Sequence, residues 1–136
     1  MKTYKYLFLI VLPLLVLCSC SQKITSKNLI GIWDMDKTKN ASDLSMQFVD
    51  SNKIIFLLRN NEVPNSYLTY HLDNSHHPTA LYIDGTRFGK DYHLALLVKI
   101  ENNNLLKTQG EQNKPLPEKW HNIENNDSTT HFIRRK

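Results

Sequence analysis

The side chains best suited to metal binding lie in one short segment of the chain. His71 and Asp73 precede the adjacent pair His76 and His77, and imidazole together with carboxylate can hold zinc or copper. However, neighbouring residues of a strand point to opposite faces, so His76 and His77 cannot both face one ion from a strand. We therefore predict no metal site and no cofactor.

Motifs that support catalysis are missing from the sequence. It contains no G-x-S-x-G elbow, no H-E-x-x-H pair and no glycine-rich phosphate loop, which are the local patterns of common hydrolases and nucleotide enzymes. The acidic residues are scattered, and their spacing gives no reason to pair any two of them. The sequence therefore predicts a protein that is not an enzyme.

Both cysteines, Cys18 and Cys20, lie near the N-terminus after a basic segment and an apolar run. The basic segment contains Lys2 and Lys5, and the apolar run covers residues 7–17, which is the order of a secretory signal. Crossing a membrane requires about 20 apolar residues, so this run is too short for a transmembrane helix. We predict that residues 1–19 are a signal peptide that is removed.

The segment Leu17-Cys18-Ser19-Cys20 resembles the lipobox of bacterial lipoproteins, in which leucine and then a small residue precede an acylated cysteine. Ser19 provides the small residue before Cys20, whereas bulky Leu17 would precede Cys18. The resemblance implies that Cys20 carries a thioether-linked diacylglycerol and an amide-linked acyl chain, which anchor the protein in the membrane. A plain secretory signal with a free cysteine is the alternative.

The lipobox resemblance also implies a location in the cell envelope. Lipoproteins are retained in the inner membrane when aspartate follows the acylated cysteine, but here Ser21 follows Cys20. This rule implies the outer membrane. The polar, aperiodic segment 20–28 is predicted to be a lipidated tether.

Charge and size limit the partners of the mature chain. Removing Lys2 and Lys5 from the whole-chain net charge of +4 leaves +2, over the 117 residues from Cys20 to Lys136. Nucleic-acid-binding domains usually carry a basic stripe with interleaved aromatic residues. We therefore predict a single exported domain that binds no nucleic acid. Apart from Cys20 it has no thiol, which excludes disulfides and thiol catalysis.

Short apolar or alternating runs, separated by Asn, Asp, Gly, Ser and Pro clusters, follow one another along residues 29–136. This is the pattern of consecutive strands and turns. The predicted strands cover residues 29–34, 44–49, 53–59, 66–72, 79–84, 92–100, 105–109 and 129–134. Short connections, such as the predicted turn at Asp84 and Gly85, favour an antiparallel meander of about eight strands closed into a small barrel.

The segment Leu29-Ile30-Gly31-Ile32-Trp33 resembles the G-x-W element of the first strand of lipocalin-like domains. The resemblance implies a lipocalin-like barrel over residues 29–136, in which Gly31 lets the strand bend and Trp33 plugs one end. It further implies that an arginine of the last strand, Arg134 or Arg135, stacks on the Trp33 ring.

Aromatic residues are the candidates for ligand binding. In a small barrel one face of each strand lines the interior, so the strand and turn aromatics either pack a core or line a ligand cavity. Segment 110–120 is long enough to arch over one mouth, with Trp120 as a lid. The ligand-binding candidates are Tyr67, Tyr70, Tyr82, Phe88, Tyr92 and Trp120.

These patterns together predict a noncatalytic lipoprotein that binds a small apolar or amphipathic ligand at the cell envelope. The alternative is a structural or interaction lipoprotein, whose filled barrel presents loops to an envelope protein or a glycan. The two differ in whether side chains fill the barrel or leave a cavity.

The lipobox interpretation predicts the site of acylation. In cells that are given a tagged fatty acid, we expect Cys20→Ser to abolish labelling of the protein, because only a thiol at this position accepts the diacylglycerol. Cys18→Ser is the matched control and should label like the wild type. Labelling that survives Cys20→Ser, or is lost only with Cys18→Ser, would contradict the assignment.

Overall fold

The computed structural model describes residues 23–39, 42–122 and 128–136. The predicted signal peptide and Cys20 lie outside these described residues. A short helix, α1 (Ser26–Leu29), is followed by nine strands. The strands are β1 (Gly31–Met35), β2 (Leu44–Phe48), β3 (Lys53–Leu58), β4 (Asn61–Glu62), β5 (Tyr67–Asp73), β6 (Thr79–Arg87), β7 (Lys90–Glu101), β8 (Leu105–Gln109) and β9 (Thr129–Arg134).

The strands form one antiparallel sheet that closes on itself. Its order is β2-β1-β9-β8-β7-β6-β5-β3-β4, and β2 also pairs with β3. Eight strands therefore form a closed barrel, and the short β4 adds to β3 beyond the point where β5 leaves it. The predicted all-β antiparallel barrel is confirmed.

The predicted turn at Asp84 and Gly85 is wrong. Both residues lie inside β6, which continues to Arg87, and Gly85 pairs with Leu68 on one side and Tyr92 on the other. A Cβ atom at Gly85 would lie only 2.0 Å from the carbonyl oxygen of Tyr67. The glycine therefore permits a close approach of two strands at a positive φ of 140°.

Alternating residues of the strands fill the barrel interior. Phe48 and Tyr70 meet edge to face with ring centroids 4.9 Å apart, and Phe56 meets Tyr92 at 5.7 Å. The largest fully buried side chains are Trp33, Phe48, Phe56, Leu29, Met46, Ile54, Leu81, Ile83, Leu106 and Val98. They belong to one continuous apolar cluster, so burial of these side chains is the main stabilising contribution to the fold.

The barrel is closed at one end by Trp33 and α1. The Trp33 ring is fully buried, and its Nε1 donates a hydrogen bond of 2.7 Å to the carbonyl oxygen of Leu29, the last residue of α1. The guanidinium carbon of Arg134 lies 4.1 Å from the centre of the same ring. Stacking of a guanidinium on an indole is a favourable cation–π contact.

Arg134 connects four parts of the chain. Besides stacking on Trp33, its Nη1 donates to the carbonyl oxygen of Ile30 at 2.8 Å, Nε donates to that of Asn103 at 2.9 Å, and Nη2 donates to that of Asn28. A Cβ at Gly31 would lie 3.2 Å from Nη1, so glycine leaves the space that the arginine occupies. We call this set the Arg134 closure.

The lipocalin resemblance left open whether Arg134 or Arg135 stacks on Trp33, and in the structure it is Arg134. Arg135 instead lies on the outside of the barrel, where its guanidinium donates to both carboxylate oxygens of Asp34. These hydrogen bonds hold the pKa of Asp34 below its ordinary value.

The ordered domain begins before the predicted boundary at Leu29. Ile24 belongs to the apolar core at 6% exposure, and the first three of the four residues of α1 lie in segment 20–28, which the sequence predicts as tether. The reason is packing: Ile24 and Leu29 cover the closed end of the barrel. Among the described residues, no helix has the length and apolar character needed to cross a membrane.

The Arg134 closure predicts unequal roles for the two neighbouring arginines. We expect Arg134→Met to lower the free energy of unfolding by about 3 kcal/mol, because it removes three charged hydrogen bonds and one cation–π contact. Arg135→Met should lower it by about 1 kcal/mol or less, because partly exposed ion pairs contribute little. Urea unfolding measures both values, and equal losses would contradict the closure.

Candidate functional site

The six predicted ligand-binding aromatics do not form one site. Tyr70 and Tyr92 lie in the filled interior, at 3% and 4% exposure, and the Tyr70 hydroxyl donates to the carbonyl oxygen of Asp50 at 2.7 Å. Burial raises the pKa of both phenols. Both rings pack in the core, and neither residue lines either of the two cavities described below.

The remaining aromatics are distributed over the outside of the molecule. Tyr82 stacks on His71 at 4.8 Å between ring centroids, and Tyr67 is 79% exposed. Phe88 lies in the turn between β6 and β7 and is half exposed. Trp120 lines a groove that is described below.

The histidine segment does not assemble a metal site in the structure. His76 lies 3.5 Å from the Asp73 carboxylate, while His71 faces Tyr82 and His77 lines the groove described below. Within residues 23–39, 42–122 and 128–136, no group of three or more potential metal ligands is found.

Segment 110–122 follows an unexpected course. After β8 the chain continues in register along β7, with a bridge between Leu94 and Gln112. Gly110 makes this possible, because a Cβ there would lie 2.3 Å from the carbonyl oxygen of Ala95. The chain then turns near Asn113, whose φ is 58°, and its return places Trp120 on Lys99 of β7.

The returning segment is fixed by the side chain of Gln109. The Gln109 amide oxygen accepts a hydrogen bond of 2.9 Å from the His121 backbone N–H, and its amide nitrogen donates to the His121 carbonyl oxygen at 2.7 Å. The same nitrogen donates to the hydroxyl of Thr129 at 2.7 Å. Gln109 is only 2% exposed, so these hydrogen bonds satisfy its own buried amide group.

Beside Trp120 lies a groove of about 520 Å³, which we call the Trp120 groove. This volume falls in the range of about 300–1,000 Å³ that is typical of small-molecule sites. Its apolar lining comes from Ile24, Val98 and Ile100, together with Pro78. The groove lies at the closed end of the barrel, where α1 packs.

Lys99 is the central charge of the Trp120 groove. Its Nζ lies 4.3 Å from the centre of the Trp120 ring, and in the sheet it lies opposite another cation, Lys107. Glu101 is held by Lys107 through a bond of 2.8 Å. Burial, with a contribution from Lys107, lowers the pKa of Lys99, whereas Glu101 opposes this shift.

The lining also includes Lys119, so two lysines accompany one glutamate and no aspartate in the groove. None of the ion pairs formed by described residues includes Lys99 or Lys119. The groove therefore combines an apolar wall with two lysines that form no ion pair with a described residue.

A second cavity of about 480 Å³ lies on the outer face near Asp34 and Arg135. Most of its charged groups pair with one another, because Arg135 pairs with Asp34, and both Lys37 and Arg59 pair with Asp43. We therefore regard the Trp120 groove as the better candidate site.

Sequence reasoning identified Trp120 but missed Lys99, Gln109 and Ile24. Lys99 is the only charged residue between Leu94 and Ile100, and the alternation of that strand already places it on the outer face. No local pattern reveals Gln109, because its partners His121 and Thr129 are distant in sequence.

Comparison of the chain with protein-family models, with curated proteins and with solved structures finds no match in any of the three. The function must therefore be argued from the geometry of the groove.

The hydrogen bonds of Gln109 predict how Trp120 is held. We expect Gln109→Ala to free segment 110–122 and to increase quenching of tryptophan fluorescence by acrylamide. Trp33 is fully buried, so the added quenching comes from Trp120. Gln112→Ala changes an exposed glutamine of the same segment and serves as the control. Unchanged quenching in Gln109→Ala would show that other contacts hold Trp120.

Proposed function

We propose that this chain is a bacterial lipoprotein, anchored through acylated Cys20, whose noncatalytic barrel binds a small amphipathic molecule in the Trp120 groove. The observation that supports this proposal most strongly is the position of Ile24, which lines the groove and lies close to the anchor in sequence. Because Ser21 follows Cys20, the proposed location is the outer membrane.

The distance between anchor and groove is short. Ile24 is four residues after Cys20, and an extended chain spans at most about 3.6 Å per residue, or about 14 Å in total. An acylated Cys20 lies at the membrane interface, so the closed end of the barrel would be held next to the bilayer. The Trp120 groove would then open close to the lipid headgroups.

The lining of the groove suits a molecule with an apolar part and an anionic part. Ile24, Val98 and Ile100 can contact an apolar chain, which gains free energy on leaving water. Lys99 and Lys119 can pair with a phosphate or carboxylate. An indole such as that of Trp120 is well suited to the boundary between apolar and polar groups.

The filled interior favours a second candidate function. Because the predicted interior aromatics Tyr70 and Tyr92 are core residues, the barrel would serve as a rigid scaffold whose loops contact an envelope protein or a glycan. In that case the Trp120 groove would be part of a macromolecular contact, and the apolar wall would meet a partner side chain.

Native mass spectrometry distinguishes these functions. The protein is freed of copurified lipid, incubated with an envelope lipid extract and transferred to the spectrometer. We expect a bound small molecule for the wild type, and occupancy reduced by about tenfold in Lys99→Gln, since charge-assisted contacts contribute about 1.5–3 kcal/mol.

Tyr67→Ala is the matched control, because Tyr67 is an exposed aromatic outside the groove. It should bind like the wild type, whereas Trp120→Ala should bind less. If no small molecule is retained, and a crosslinked envelope protein copurifies instead, the ligand-binding proposal is wrong and the interaction function replaces it.

A further inference from the structure

The other end of the barrel contains an unusual cation, Arg87. It is the last residue of β6, whereas Thr79, the first residue, lines the Trp120 groove. At about 3.4 Å per residue, the length of this strand separates the two ends by about 27 Å. Arg87 therefore belongs to a region of the molecule that is independent of the Trp120 groove.

Three aromatic rings surround the Arg87 guanidinium. Its central carbon lies 5.1 Å from the centre of the Phe56 ring and 5.5 Å from the centres of both the Phe88 and Tyr92 rings. Its Nε is buried and has no hydrogen-bond partner among the described residues. Native proteins rarely leave such a donor unpaired.

The charge of Arg87 is not neutralised within the described part of the chain. None of the ion pairs there includes it. The residue opposite it in the sheet is Lys90, a second cation. Like charges in directly opposed positions repel each other, so an anion bound at this point would relieve the repulsion.

Phe88 adds a second observation. It occupies the first central position of the two-residue turn between Arg87 and Lys90, with a φ of 54°, and Gly89 follows at 71°. Turns of this type favour Asn-Gly, and a bulky residue with positive φ is strained. The Phe88 ring is also 54% exposed, so neither backbone preference nor burial explains phenylalanine here.

We propose that Arg87, Phe88 and Tyr92 form a binding site for an organic carboxylate that bears an apolar ring or chain. The planar guanidinium matches the geometry of a carboxylate. The exposed Phe88 ring offers a surface on which the apolar part of the ligand can pack.

Tyr92 supports this site as a neutral hydrogen-bond donor. Burial raises its pKa, and the nearby Arg87 charge opposes part of that rise. The phenol therefore stays protonated at neutral pH, where its O–H can donate to a carboxylate oxygen.

The test uses two water-soluble probes, 3-phenylpropanoate and its uncharged amide, with the mature lipoprotein in detergent. Titration is followed by NMR at the Nε–H of Arg87 and at the indole N–H of Trp120. We expect saturable shifts at Arg87 with the carboxylate, and binding about tenfold weaker with the amide, since a charged hydrogen bond is lost. Any shift of Trp120 should saturate at a different probe concentration, because the Trp120 groove and the Arg87 site bind independently.

Substitutions separate a specific site from general electrostatic attraction. Arg87→Met should abolish binding of the carboxylate. Arg87→Lys keeps the positive charge but lacks the planar pair of guanidinium donors, so it should weaken binding while preserving the fold. Arg59→Met removes an equal charge from an exposed loop and should bind like the wild type. Phe88→Asn should weaken binding while the melting temperature stays equal or rises, because asparagine suits the turn.

The proposal is overturned if the amide binds as tightly as the carboxylate, or if folded Arg87→Lys binds like the wild type. It is also overturned if Arg59→Met weakens binding as much as the Arg87 variants do. A shift of Trp120 without a shift of Arg87 would place the carboxylate in the Trp120 groove and likewise overturn the Arg87 site.

Discussion

The contact between Arg134 and Trp33 is the interaction on which the rest of the molecule depends. The guanidinium covers the indole at 4.1 Å, and its three hydrogen bonds fix Asn28, Ile30 and Asn103. It thereby joins the last strand, the first strand, α1 and the turn between β7 and β8. Because α1 brings Ile24 to the closed end of the barrel, the same closure also forms one wall of the Trp120 groove.

Because side chains fill the barrel interior, the two candidate sites lie at the ends of the barrel. Large side chains from facing strands meet inside, as Phe56 and Tyr92 do, and close packing of this kind stabilises the fold. At the closed end, the Trp120 groove offers Lys99 beside an apolar wall. At the other end, Arg87 lies among three rings. At each site a cation that forms no ion pair with a described residue lies beside an aromatic ring, which is half-buried for Trp120 and exposed for Phe88.

Much of the fold could be predicted from the sequence, because the alternation of apolar residues and the turn residues are local signals. The same alternation places Arg134 on the face of Phe132, two residues earlier, and so favours Arg134 over Arg135 as the partner of Trp33. It also places Tyr67 and Tyr70 on opposite faces of β5, which separates two of the predicted ligand-binding residues.

The features that could not be predicted from the sequence depend on contacts between distant parts of the chain. A glycine such as Gly85 is equally compatible with a turn and with a close approach of strands, and only the neighbouring strand decides which one forms. Gln109 holds His121 across twelve residues, and nothing near Gln109 in sequence reveals this. The Trp120 groove could therefore be predicted as a loop with an aromatic residue, but not as a cavity beside Lys99 and Ile24.

We propose that acylation of Cys20 holds the Trp120 groove against membrane lipid. Fluorescence of the lipidated protein in vesicles containing phospholipid brominated near the headgroup tests this claim most directly. Bromine quenches tryptophan only on close approach, and Trp33 is fully buried. We expect brominated lipid to quench the fluorescence of the wild type. In Trp120→Phe the remaining fluorescence comes from Trp33, and we expect no quenching of it. Equal emission of the wild type in brominated and ordinary vesicles would contradict it.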